Sequence, residues 1–269
     1  MVAHLLGRKG AAKIALIPPD VLTALSEGQV PTVNLNEFLA LDLARLTRNV
    51  ARDIGLPPDA DRITDTIAML GAFKPVKRHE HVARALYDLA SERADRDAIA
   101  HRLATHTSDV ARGWATQWIM FSDLTLLQKL DSVRRFAVDP QFGVREMAWM
   151  AVRDEVRGAL DEALALLQPW VHAEDENMRR FASELTRPRG VWCAPLEALQ
   201  AQPWRALPLL EPLKSDPSRY VRNSVANWLN DASKSQPQWV DELCRRWSRE
   251  APGPYCDHIV RRACRTMRA

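Results

Sequence analysis

Five arginines recur along the chain, Arg112, Arg145, Arg179, Arg222 and Arg261, at intervals of 33, 34, 43 and 39 residues. Three of the surrounding frames are plainly related: Asp139-Pro-Gln-Phe-Gly-Val-Arg-Glu-Met-Ala148, Asp175-Glu-Asn-Met-Arg-Arg-Phe-Ala182 and Asp216-Pro-Ser-Arg-Tyr-Val-Arg-Asn-Ser-Val225. Each begins with Asp and continues to a hydrophobic residue, an Arg, and a small residue three positions later. Amphipathic segments at 124–138, 160–172, 204–214 and 240–249 separate the frames, so the repeating unit reads as two helices. Such a unit cannot bury its apolar side alone and must stack on its neighbours. No segment alternates with the period of a half-buried strand.

The fold expected is therefore all-α, a superhelical solenoid of HEAT-like two-helix repeats. A single repeat domain over 1–269 divides into a basic arm (1–16, with Arg8, Lys9 and Lys13) that is mobile or loosely docked, N-terminal helices (17–105) and clear repeats (106–269). In the N-terminal part the spacing predicts a short helix after Pro18-Pro19-Asp20, one helix over 34–55, and further helices at 62–73, 79–90 and 93–105. Lys77-Arg-His-Glu-His81 reads as a charged surface turn. His79 and His81 stand two apart and cannot share a helix face, so no metal site is expected there.

A 46% hydrophobic and 26% charged composition is that of a soluble globular protein. No apolar run reaches transmembrane length, and the N-terminus lacks the cleavage site of a secretory signal. Four cysteines without Cys-x-x-Cys spacing read as reduced thiols, so the chain is expected to be cytoplasmic and monomeric, with no membrane partner and no cofactor. The net charge of +3 is mild, but residues 219–269 hold ten Arg and Lys against five Asp and Glu, an excess of +5. That favours a polyanionic partner.

At about 100° per residue, the third and sixth positions after each repeated Arg fall on one side: Ala115, Ala148, Ala182 and Val225, then Trp118, Ala151, Leu185 and Trp228. This is the packing side. The first, fifth and eighth positions fall opposite and grow more polar along the chain: Glu146, Met150 and Arg153, then Arg180, Glu184 and Arg187, then Asn223, Asn227 and Asn230. That stripe is the candidate working surface. Its carboxylates Glu146 and Glu184, with Asp231 at the next helix end, could surround a cationic group. They could equally pair with Arg153, Arg180 and Arg187 in a solvated ladder.

The repeated arginines read as structural, pairing with Asp139, Asp175 and Asp216 of neighbouring repeats. In Arg187-Pro-Arg189-Gly-Val-Trp192 the Pro and Gly break the helix and leave two arginines and an indole at a groove edge. Guanidiniums suit phosphates and an indole suits stacking on a base, although a core Trp with solvated arginines explains the same residues. Arg219, Arg222, Asn223 and Asn227 open a helix able to hold phosphates or simply to present a solvated face. Most other tryptophans occupy packing positions. Trp149, one turn beyond Glu146, is the expected exception.

Phe142-Gly-Val-Arg-Glu146, Arg179-Arg-Phe-Ala-Ser-Glu-Leu-Thr-Arg-Pro-Arg189 and Tyr220-Val-Arg-Asn-Ser-Val-Ala-Asn-Trp-Leu-Asn-Asp231 together resemble the HEAT-like DNA glycosylases of the DNA alkylation repair family. The resemblance covers about 100–250 and is closer to the AlkC branch than to AlkD, whose Trp-x-x-x-Asp pair is replaced by Met178-Arg-Arg-Phe-Ala182. The chain also ends too early for the immunoglobulin-like domain of some AlkC relatives. The resemblance implies hydrolysis of the N-glycosidic bond of cationic N-alkylpurines such as 3-methyladenine in double-stranded DNA, without metal or organic cofactor. By motif position it assigns Glu146, Glu184, Asp231 and Trp192 to catalysis. DNA contacts are then expected from Arg153, Arg180, Arg187, Arg189, Arg219, Arg222, Asn223 and Asn227. The competing expectation is a non-catalytic HEAT module that binds DNA structures or a protein.

Overall fold

Prolines and side-chain caps set where the helices begin. The computed structural model describes residues 2–190 and 192–267, and among them are seventeen α-helices and no strand. α1 (Pro19–Ser26) starts on a proline, whose missing N–H has no partner to lose in a first turn. Asn34 caps α2 (Leu35–Ala40) by accepting the Glu37 N–H, and Asp42 caps α3 (Leu43–Ile54) by accepting that of Arg45. Caps of this kind contribute about 1 kcal/mol each. The single helix expected over 34–55 is thus two, divided where Asp42 starts the second.

α4 (Asp61–Met69), α5 (Pro75–Ser91) and α6 (Arg96–Ala104) follow. Because α5 begins at Pro75, the run Lys77 to His81 is helix and not a surface turn. His79 is buried, stacks on Phe38 at 4.6 Å, and accepts the Trp114 Nε1–H at Nδ1 over 3.1 Å. Burial, helped by the nearby Arg78, lowers its pKa from 6.5 to about 4. At neutral pH it is an uncharged acceptor inside the core.

The later helices are α7 (Asp109–Phe121), α8 (Leu126–Ala137), α9 (Phe142–Met150), α10 (Arg153–Gly158), α11 (Leu160–Leu167) and α12 (Glu176–Leu185). Then come the short α13 (Glu197–Ala201) and α14 (Leu207–Leu210), followed by α15 (Arg219–Ser233), α16 (Pro237–Glu250) and α17 (Pro254–Ala263). The chain forms two compact units. One holds the residues up to Asp123 with Asp139–Ala151; the other holds Leu124–Val138 with the residues from Val152 onward. In the first, α5, α7 and α9 pack in series; in the second, α12, α15 and α17 do so. All eight residues predicted for the packing side are buried, from Ala115 and Trp118 to Val225 and Trp228.

The repeated arginine has a recurrent job. Arg112 and Arg179 each donate Nη1 to two carbonyls, those of His106 and Thr107 and those of Ala173 and Glu174. Their Nε and Nη2 form a fork onto the Asp of the following repeat, Arg112 on Asp139 at 2.8 and 3.0 Å and Arg179 on Asp216 at 2.7 and 3.1 Å. Bidentate, largely dry pairs such as these add geometric specificity to packing. Asp175 instead caps α12, accepting the Asn177 N–H at 2.7 Å. The N-terminal arm is docked: Arg8 pairs with the buried Glu37 and donates to the Leu5 and Pro31 carbonyls at 2.8 Å. Pro31 and Glu37 lie 23 and 29 residues away, beyond the reach of any local pattern.

Candidate active site

The second unit brings Glu184, Arg187 and Asp231 into one cluster. Glu184 ends α12 on its inner side, and Asp231 lies three turns into α15, packed alongside. Arg187 follows the end of α12 and reaches between them. Its Nη1 donates to Glu184 Oε1 at 2.7 Å, while Nε and Nη2 meet Asp231 Oδ2 at 2.9 and 2.8 Å. Glu184 Oε2 accepts the Ser224 hydroxyl at 2.6 Å, and the Arg180 guanidinium stands 3.6 Å away. Among the described residues the one cation within 4.0 Å of Asp231 Oδ1 is Lys234, at 3.5 Å, and that lysine is substantially exposed.

The solvated ladder is not what forms. Glu184 and Asp231 are 5% and 4% exposed, so their pairing is dry. Burial alone would raise the Glu184 pKa, but Arg180, Arg187 and the Ser224 hydroxyl outweigh it and hold the carboxyl below the usual range. The two carboxylates in turn raise the Arg187 pKa against the burial that would lower it. Glu184 and Arg187 are thus both charged at neutral pH. Ser224 and Lys234 were invisible to the periodicity argument. Ser224 is buried two positions after Arg222, where nothing but its small size marks it.

Arg153 corrects the expected stripe. It is 2% exposed and meets no phosphate-accessible surface. Its guanidinium donates to the carbonyls of Leu185, Arg187 at 2.6 Å and Ala194 at 3.4 Å, pinning both ends of the segment that follows α12. Asn230 likewise lies inside, donating Nδ2 to the Ala263 carbonyl at 3.0 Å. Arg222 is also buried, its Nη1 held by the Asp216 and Pro217 carbonyls, so it cannot reach out to DNA as expected. In the first unit Trp149 is core, 2% exposed, and its indole N–H donates to Glu146 Oε2 at 3.0 Å. Glu146 itself is half-buried.

Between the Arg153 anchors the chain presents Trp192, 68% exposed, with φ of 72°. It is the one non-glycine residue with positive φ among those described, a backbone state that costs about 1 kcal/mol or more and persists only where the surroundings impose it. Arg189 leans the other way and donates to Ser235 Oγ at 3.0 Å. The tightness of the turn requires Gly190, since a methyl group there would lie 2.0 Å from Cys193 Sγ. Gly190→Ala is expected to lower the stability by about 1–3 kcal/mol, read as a drop in the thermal midpoint. An unchanged midpoint would show that the turn yields freely.

Of the remaining expected contacts, Arg219 is exposed at the start of α15, while Asn223 and Asn227 are half-buried and engaged by His258 and Arg265 of the α17 region. No helix among the described residues is long and apolar enough to cross a membrane.

No protein-family model matches the sequence. It is 36% identical over 137 residues to the uncharacterized protein YhaZ of Bacillus subtilis (strain 168), a match covering 51% of this chain and 37% of that protein. Among solved structures it is similar to the Pseudomonas fluorescens alkylpurine DNA glycosylase AlkC bound to DNA containing an abasic site analog. The TM-score is 0.68 at 25% identity, over 83% of this chain and 61% of that one. AlkD2 from Streptococcus mutans gives a TM-score of 0.58 at 22% identity, over 75% of this chain and 96% of that one. The chain thus spans less than two thirds of the AlkC chain and of the Bacillus relative.

Proposed function

We propose a reaction for this chain, which belongs to the HEAT-like family of DNA alkylation repair proteins: hydrolysis of the N-glycosidic bond of a cationic N-alkylpurine in duplex DNA. A positively charged base is already a good leaving group and departs neutral, so no general acid is needed. What the protein must supply is stabilisation of positive charge on the sugar and an oriented water. Asp231 is the group for both. The observation that carries this is its asymmetry: Oδ2 is locked by Arg187, while Oδ1 meets a partly exposed lysine at 3.5 Å. Phosphates on the surface would draw the Lys234 ammonium outward and uncover Oδ1.

Glu184 has both oxygens engaged and acts at one remove, fixing Arg187 and through it Asp231. Trp192, on the strained turn that follows Arg187, would stack against the lesion or its sugar, and Arg189 and Arg219 would meet backbone phosphates. A second reading, a module that binds DNA without cutting it, draws support from the same cluster, because an arginine already occupies both carboxylates. Release of 3-methyladenine from a methylated duplex separates the two. Release is expected from the intact chain, and Trp192→Ala should slow it about tenfold, in line with about 1–3 kcal/mol per stacked base. Duplex binding without any base release would leave the binding module as the function.

A further inference from the structure

The last repeat lacks the arginine–aspartate fork made by Arg112 and Arg179. Asp139 and Asp216 each stand six residues before the repeated Arg of their own repeat and accept the fork of the preceding one. Six residues before Arg261 stands Tyr255. Arg222 keeps its two carbonyls, those of Asp216 at 2.8 Å and Pro217 at 2.6 Å, but its guanidinium lies over the Tyr255 ring at 4.4 Å. Its Nε is buried and has no partner. A ring face attracts the cation without cancelling its charge. Where the Arg112 and Arg179 staples are neutral, this one leaves a full positive charge in place.

The neighbourhood adds more of the same sign. Arg219, Arg261 and Arg265 are exposed and Arg262 is half-buried. Among the described residues none of the four has a carboxylate within 4.0 Å, although most arginines elsewhere in this unit do. The acids at hand are Asp257, one turn before Arg261, and Asp231, already held by Arg187. Neutral groups space the cations: Asn223 Oδ1 lies 2.9 Å from His258 Nε2, and Asn227 Oδ1 accepts from Arg265 at 3.0 Å. Burial and the charges of Arg222, Arg262, Arg261 and Arg219 lower the His258 pKa, so the imidazole is a neutral spacer as well.

We propose that α17 and the start of α15 form a phosphate-binding strip that holds consecutive phosphodiesters of a DNA strand, through Arg219, Arg261, Arg262 and Arg265, with the un-neutralised Arg222 behind them. It extends the DNA-binding reading above to residues outside the carboxylate cluster. The strip recognises backbone and not base, so it grips undamaged duplex and lesion alike.

The test uses the full chain and a fluorescently labelled, undamaged duplex, with affinity measured across a series of potassium chloride concentrations. Each phosphate contact contributes about 0.9 to the slope of log affinity against log salt. The triple change Arg261→Gln, Arg262→Gln and Arg265→Gln should therefore flatten the slope by about 2–3, and the corresponding triple Lys variant should keep it. Tyr255→Asp places beside Arg222 the carboxylate that Arg112 and Arg179 have, and should flatten the slope too, by less than the Gln triple. An unchanged slope in the Gln triple or in Tyr255→Asp, at an unaltered thermal midpoint, overturns the strip. So does an intact chain whose affinity for duplex does not depend on salt, which would point to an acidic protein instead. Binding alone is read, so a chain that releases no base can still satisfy the test, and one that releases base can still fail it.

Discussion

In single-turnover reactions on a methylated duplex, Asp231→Asn is expected to release base about 10²- to 10³-fold more slowly than the unaltered chain, with duplex affinity nearly unchanged. The magnitude is that of removing one preorganised charge-stabilising group from an enclosed site. Asn keeps the shape and can still accept from Arg187, so the fold should survive. What it lacks is the negative charge opposite the developing sugar cation. Glu184→Gln should show a smaller loss together with a lower thermal midpoint, because both Glu184 oxygens are engaged within the cluster. Equal losses from the two variants, or none from Asp231→Asn, would remove Asp231 from its proposed role.

Arg187→Met should be the most destabilising single change in the site. Removing one partner of a buried ion pair leaves the other charges uncompensated, at a cost of about 3–5 kcal/mol. For a chain of this size that is about a 10 °C fall in midpoint. The pH dependence distinguishes this cause from lost packing. In the unaltered chain the Glu184 pKa lies below its ordinary value of 4.5. Its contribution is therefore fully present above 4.5 and fades as pH falls through the lower, folded-state value. Without Arg187 only Arg180 and the Ser224 hydroxyl oppose burial, so the folded carboxyl titrates higher than it does in the unaltered chain. The deficit of the variant then narrows as pH falls from 7 to below 4.5, measured by denaturant unfolding at each pH. A deficit constant across that range would mean that Arg187 contributes only packing.

The packing side of the solenoid was legible because it depends on spacing within one helix. Ala148, Ala182 and Val225 recur three positions after the repeated arginine, and each is fully buried. The open side was legible only in part, since what covers a helix comes from elsewhere in the chain. Arg153 is sealed by carbonyls 32 to 41 residues later, and Asn230 by Ala263, 33 residues later. Their positions in the stripe are as expected; their exposure is not. Trp149 was misplaced for a related reason: its ring packs inward while its N–H alone reaches back to Glu146. The pairing of Glu184 with Arg187 was one of two open readings of the sequence. The cross-helix reach of Arg187 to Asp231, 44 residues away, had no local signature. Tyr255 could have been noticed from sequence, once the offset of six residues between Asp and Arg was applied to the final repeat.

Cys193, wedged against Gly190 and the Arg153 guanidinium, has a bearing on chemical durability. A thiol attacks electrophiles as its thiolate. Burial pushes the Cys193 thiol up despite the opposing charge of Arg153, and burial likewise raises Cys244 and Cys256. Cys264 is buried. Cys193, Cys244 and Cys256 thus offer a methylating agent little thiolate, even on the turn beside the exposed Trp192. The tightness that forbids a side chain at position 190 also keeps that turn chemically quiet among the reagents that damage DNA bases.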